Sequence, residues 1–224
     1  MYISWLGESC TRFHVLSQIL NTEVYLLFDP YHESPSGSKL SKLTADIVAI
    51  SDPASPLHNA RERVRGRDEQ KVPFVIDCPG EYEAGGVVLY GIRAENEHWN
   101  PPHAVTLFYA EIEGMKILSL GAFGQAKLTD AQMEIFEHID VLIVPLGSAY
   151  HPTVAECAGM VSQIEPRVVI PLPASAQGKK HNDALVTQFA KELGITPDAP
   201  VSKCKIIKKE LPAEEIKIIT LSLE

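Results

Sequence analysis

The period of the apolar pattern changes once along the chain, near residue 129, and that change limits the folds open to it. Before it, runs at 2–6, 11–16, 23–28, 46–51, 73–76 and 86–93 are rich in β-branched and apolar residues and are separated by turn residues, which predicts strands. Runs at 104–112 and 115–120 flank Glu113-Gly114 and predict a hairpin. Residues 61–71 are almost wholly charged and predict a short solvated helix or loop, while the polar, proline-paired stretch "AENEHWNPPH" predicts a loop. After the change, helices and strands alternate. Thr129 with Gln132 three residues on predicts a capped helix to about His138, and Thr153 caps a second helix closed by Pro166. Strands are expected at 140–145 and 168–172, a helix at 182–193 stopped by Gly194, and closing strands at 203–208 and 217–221. Many strands with interspersed helices suit two packed sheets covered by helices on their outer faces. A single domain over 1–224 is expected, with pseudo-halves of about 1–103 and 104–224.

Charge narrows the partners. Twenty basic residues against 29 acidic give −9, and the longest basic runs are Lys179-Lys180 and Lys208-Lys209, so no cationic track is offered to a phosphate backbone. Nucleic acid is not an expected partner. The first residues lack a charged segment followed by an apolar one, and no stretch reaches the roughly 20 apolar residues of a membrane span, so a soluble cytoplasmic protein is expected. Cys10, Cys78, Cys157 and Cys204 are scattered without a C-x-x-C pair, which predicts buried free thiols rather than disulfides or a zinc knuckle.

Six segments, in order, carry a resemblance. "ISWLGESC" at 3–10, "LFDP" at 27–30, "PGEYEAGGV" at 79–87, "ILSLGAFGQAKLTDAQ" at 117–132, "DVLIVPLG" at 140–147 and "RVVIPLPA" at 167–174 are similar to the corresponding motifs of the metallo-β-lactamase fold. Within it, they resemble the small zinc-dependent hydrolases related to L-ascorbate-6-phosphate lactonase. The resemblance implies an α/β fold: a four-layer αββα sandwich of two mixed sheets covered by helices. It also implies a zinc-activated water at the sheet edge, held by an H-x-H-x-D-H loop and by further His and Asp residues. Zinc requires three or four such donors at ~2.0–2.2 Å with one position open for the water.

In this sequence those positions read otherwise. The four ligand places of the H-x-H-x-D-H loop fall on Asp52, Ala54, Pro56 and Leu57, the middle His on Asn96, the bridging Asp on Ala122 and the late His on Pro173. Glu8 stands where the opening motif has His. Ala, Leu and Pro side chains have no donor atom, so the loop is expected to keep the backbone shape of a ligand loop without its chemistry. Glu8, His58 and His98 are candidate residual cleft residues. With Asp52 and Asn96 they form an oxygen-rich set that would suit Mg²⁺ or Ca²⁺ before Zn²⁺, as a weaker alternative to no cofactor at all.

Other candidates have blander readings. His58 lacks metal-ligand spacing and is read as a loop histidine bonded to water or backbone; His32, His138, His151 and His181 are read likewise, in turns or helix ends. Cys78 has no expected base or cationic partner and is read as a packed thiol rather than a nucleophile. Glu81 and Glu83 share a strand face but sit among turn glycines, and "EAGG" and "LGAFG" lack phosphate-loop spacing. The run at 203–209 is read as a half-exposed strand with a basic face. The expected function is that of a homologue that has lost most zinc ligands and binds a small molecule or partner at the former active-site cleft. The alternative is a lactonase- or phosphoesterase-like hydrolase with a rearranged metal site, and self-assembly into a homo-oligomer is a further partner expectation.

Overall fold

The computed structural model describes residues 1–17, 20–35, 37, 39–68, 71–174 and 179–224. The early period-two pattern forms three antiparallel strands, β1 (Tyr2–Gly7), β2 (Cys10–Ser17) and β3 (Thr22–Phe28). The segment that follows carries the two-residue strand β4 (Leu43–Thr44) and leads into β5 (Ile47–Ala49), which lies parallel to β3. The charged stretch becomes one 3₁₀ turn at Arg61–Arg63 and a short strand β6 (Val64–Arg65) paired with β4; β7 (Phe74–Ile76) then adds alongside β5.

The chain next builds an antiparallel meander from β8 (Gly80–Ala84), β9 (Val87–Asn96), β10 (His103–Ile112) and β11 (Met115–Ser119). Its last turn places Glu113 at φ 50° and Gly114 at φ 72°, the left-handed pair that a two-residue hairpin loop needs. Three crossover units follow: α1 (Asp130–Ile135), β12 (Val141–Leu146), α2 (Val154–Ile164), β13 (Val168–Pro173) and α3 (Lys179–Leu193). The closing strands are shorter than expected, β14 (Lys203–Lys205) and β15 (Lys217–Ile218), with a 3₁₀ turn at Lys208–Glu210 between them. A basic face is present on β14, where Lys203 Nζ stands 4.7 Å from the Tyr2 ring centre.

Two mixed sheets result. The first runs β14-β1-β2-β3-β5-β7 and the second β15-β13-β12-β11-β10-β9-β8. Strands β8 and β9 join the second sheet and β14 the first, so a cut at residue 103 separates neither sheet cleanly. The inner faces meet on Ile3, Phe13, Phe28, Phe108 and Ile143, with Phe13 and Phe28 edge to face at 5.2 Å. Phe136 at the end of α1 and helical side chains such as Val161 and Phe189 cover the outer face of the second sheet. Over the first sheet, the outer layer is formed by the segments around Tyr31, Leu40 and Val64 in place of long helices. The α/β sandwich expected from the sequence is therefore the fold observed.

Both helix caps read from the sequence are made. Thr153 accepts from the Glu156 amide at 3.3 Å while Glu156 accepts from the Thr153 amide at 2.7 Å, and Thr129 and Gln132 repeat the arrangement. Thr153→Ala is expected to lower stability by about 1 kcal/mol, read as a shifted urea midpoint at constant slope. No change in midpoint would mean that water replaces the cap without loss.

Candidate functional site

The ends of β3, β5, β9 and β11 converge at one edge of the sandwich, as carboxyl ends of parallel strands do in folds that place ligands there. Ser51, two residues past β5, ties them together. Its amide donates to Asp29 Oδ1 at 2.7 Å, its carbonyl accepts from Thr106 at 2.8 Å, and its hydroxyl accepts from the Ala122 amide at 2.9 Å. Gly121 sits at φ 47°, and a side chain there would lie 2.6 Å from Ser51, so only glycine lets the loop after β11 approach so closely.

Three of the positions singled out by the sequence meet in this network. Asn96 is fully buried; its Nδ2 donates to the Ala122 carbonyl at 2.7 Å and the Tyr150 carbonyl at 2.9 Å, and its Oδ1 accepts from the His98 amide at 3.0 Å. Asp52, 1% exposed, accepts from the Ala54 amide through Oδ1 at 3.0 Å and faces His103 Nε2 through Oδ2 at 2.8 Å. Ala122 contributes backbone only. Ala54 and Pro56 are exposed and Leu57 is half-buried, while Pro173 ends β13 opposite Leu146. Glu8 is buried and His98 exposed.

The histidines depart from their sequence reading. His58, in the loop as read, is buried rather than solvated: it is 2% exposed, with Nε2 at 3.5 Å from Ser9 Oγ. His151 is likewise no solvated helix-end residue, because the turn that precedes α2 folds it under the sheet edge, 6% exposed, with its ring centre 6.0 Å from that of His58. His103, which the sequence reading passed over, pairs with Asp52 across the two sheets. The β9–β10 register would have found it, since His103 lies opposite Asn96. Trp99 of the intervening loop stacks on Tyr150 at 4.3 Å and 11° and reaches His103 at 5.7 Å.

Burial dominates the electrostatics. It pushes the Asp29 carboxyl up to about 7, against hydrogen bonds from Ser51 that lower it and with Asp52 adding to the rise. Glu8 is also raised to about 7 by burial, offset by a Ser34 hydrogen bond. Burial, then the charges of His151 and His103, lower His58 to about 3. His151 falls to about 4 for the same first reason, with His98 adding to the fall and the Gly121 backbone pulling weakly back. Both imidazoles are therefore neutral near pH 7. Among the described residues, no group of three or more His, Cys, Asp and Glu is arranged to hold a metal ion.

Away from this edge, Cys10, Cys157 and Cys204 are buried as expected, but Cys78 is exposed, its Sγ 3.1 Å from Tyr82 Oη. The reason is positional: Cys78 precedes β8, an edge strand with no neighbour beyond it. Glu81 and Glu83 are exposed on that strand. His32 and His138 lie in turns, the latter at φ 58°, while His181 falls within the first turn of α3.

Comparison with known families matches residues 2–173 to the β-lactamase superfamily domain. The chain belongs to the β-lactamase superfamily. Among solved structures of similar fold is a Thermotoga maritima protein given as a candidate Zn-dependent hydrolase of the metallo-β-lactamase superfamily, 25% identical, with TM-score 0.70 and 99% of each chain covered. Igni18, a metallo hydrolase from Ignicoccus hospitalis, is 16% identical with TM-score 0.58, over 86% of this chain and 90% of its own. The metallo-β-lactamase fold protein YhfI from Bacillus subtilis is 11% identical with TM-score 0.57, over 99% and 96%. Comparison with the curated proteins finds no match. This β-lactamase superfamily chain has, among its described residues, no helix long and apolar enough to cross a membrane.

Proposed function

We propose that this superfamily member no longer works through zinc and uses the former active-site edge to bind a small molecule or a partner. One observation carries the reading: the side chain of Asn96, at the position of a zinc-ligating His, turns its amide nitrogen to two carbonyls as a donor and accepts a backbone N–H on its oxygen, so it is held as a structural crosslink rather than as an imidazole-type lone-pair donor. Its neighbours support it. Ala122 has no donor side chain, and Asp52 is engaged by His103 and by the Ala54 amide. The residues present do not fit the zinc of the fold family, whose ligands must converge as lone-pair donors on one point. Nor do Glu8, Asp52 and Asn96 offer the six or more oxygen ligands typical of Ca²⁺, since two carboxylates and one amide carry fewer side-chain oxygens than that.

The test is metal content and turnover of protein purified without chelator. Zinc well below one equivalent per chain, with no hydrolysis of phosphomonoester, phosphodiester or lactone substrates, is expected. About one or two equivalents of tightly held zinc, whose removal abolishes such hydrolysis, would establish instead a metal-dependent hydrolase with a rearranged site.

A further inference from the structure

We propose that a cavity at the far end of the sandwich from this edge binds a small zwitterion, a molecule that carries one carboxylate and one ammonium group. The cavity has a volume of about 530 Å³, inside the range of roughly 300–1,000 Å³ common for small-molecule sites. It lies where β11, β12 and β13 begin, whereas the former active-site edge lies where β11 ends, so the two are separate. Six of its lining side chains are charged, Glu111, Asp140 and Glu165 against Lys116, Arg167 and Lys208. The register of the sheet brings four of them into one row. Glu111 stands opposite Lys116 on β10 and β11, and Lys116, Asp140 and Arg167 each precede the neighbouring residues Ile117, Val141 and Val168 of three parallel strands.

Two of the six neutralise each other: Arg167 Nη1 stands 3.4 Å from Asp140 Oδ1, while Asp140 Oδ2 accepts from the Lys116 amide at 2.9 Å. The other four stay apart. Glu111 and Lys116 occupy directly opposed positions, where unlike charges ordinarily meet. Instead Lys116 Nζ donates to the Glu137 carbonyl at 3.2 Å, and Glu111 accepts from the Tyr109 hydroxyl at 2.9 Å. Lys208 Nζ donates to the Gly114 carbonyl. Among the described residues, neither lysine forms an ion pair, and neither do Glu111 and Glu165.

This arrangement selects the guest by its charges. Three acids and three bases cancel, so the cavity has no net attraction for a simple ion. An anion drawn to Lys116 and Lys208 also meets Glu111 and Glu165, and a cation meets the reverse. A zwitterion satisfies both signs at once, with its carboxylate accepting from the lysines and its ammonium donating to the carboxylates. The end of α2 favours the ammonium as well. Glu165 closes that helix in the left-handed region at φ 49°, and the last turn carries no basic residue of its own to meet the partial negative charge of the helix end.

The experiment is saturation-transfer NMR on the full chain at low ionic strength, where charge interactions are least screened. The probes are glycine, β-alanine, 4-aminobutyrate and 6-aminohexanoate, whose two charges are set progressively further apart, with acetate and ethylammonium as carriers of one charge each. At least one of the four zwitterions should bind about tenfold or more tightly than acetate and ethylammonium, and the best of the series reads the spacing of the two ends. Its affinity should fall by about tenfold in Lys208→Met and in Glu165→Gln, as expected when a charge-assisted hydrogen bond is lost. Both positions are exposed, so an unchanged melting temperature is expected to accompany the loss. The proposal is overturned if none of the four binds, or if acetate or ethylammonium binds as well as the best of them. It is also overturned if either variant binds that probe like the parent. Because the cavity and the former active-site edge lie at opposite ends of β11, failure here leaves the reading of that edge as non-catalytic standing.

Discussion

Asn96→Asp is expected to destabilise the protein by about 3–5 kcal/mol at pH 8, the cost of leaving a buried charge uncompensated. The change is one atom in size. It replaces the Nδ2 group that donates to the Ala122 and Tyr150 carbonyls, at 2.7 and 2.9 Å, with an oxygen facing two oxygens in a fully buried position. The side chain cannot turn away, because Gly124 packs so closely that a Cβ there would stand 2.2 Å from Asn96 Oδ1. At roughly 2–4 °C per kcal/mol for a chain of this size, the melting temperature should fall by about 6–20 °C. Part of the loss should return at pH 5, where a protonated carboxyl can again donate to one carbonyl. A melt within a degree or two of the parent at pH 8 would show that the amide does not hold the β9, β11 and β12 ends together.

The second large effect concerns pH. Asp29 and Glu8 have folded-state values near 7, above their ordinary 3.8 and 4.5, so the stability they contribute is complete below about 4 and is lost as pH rises to about 7. His58 and His151 have folded-state values of about 3 and 4, below the ordinary 6.5. Their contribution is present above 6.5 and is lost as pH falls toward 3. The two pairs oppose each other between pH 4 and 6.5, and the parent protein should show a nearly flat stability profile there. Asp29→Asn copies the protonated acid and removes one opposing slope. Relative to the parent, it should gain on the order of 2–4 kcal/mol between pH 4 and pH 8, measured by urea unfolding. A constant difference across that range would mean that Asp29 ionises freely in the folded protein.

What could be read from the sequence was what is decided locally. The Glu113-Gly114 hairpin and the Thr129 and Thr153 caps depend on residues within a few positions of one another, and all three appear as expected. Strand lengths at the chain's end were overestimated, because β15 is set by a single parallel partner, β13, and stops after two paired residues. At the candidate site, Asp52, Asn96 and Ala122 were singled out by resemblance and do lie together. The histidines were not legible. Asp52 and His103, 51 positions apart, meet only when the two sheets pack, and His151 is buried only because the loop after β12 turns back under that same edge. A lone histidine in a turn-rich sequence carries no local sign of either event.

The pairing of β1 with β14 has a consequence for synthesis. Tyr2 to Ser4 hydrogen-bond with residues 203–205, and Glu224 donates its amide to the Trp5 carbonyl. At about 5–20 residues per second, the ribosome therefore leaves the outer edge of β1 without its neighbour for roughly 10–40 s. Throughout that interval the nascent chain displays an open template for foreign strands, and a trigger-type holdase or rapid burial of the other edge would decide how much of each batch survives translation intact.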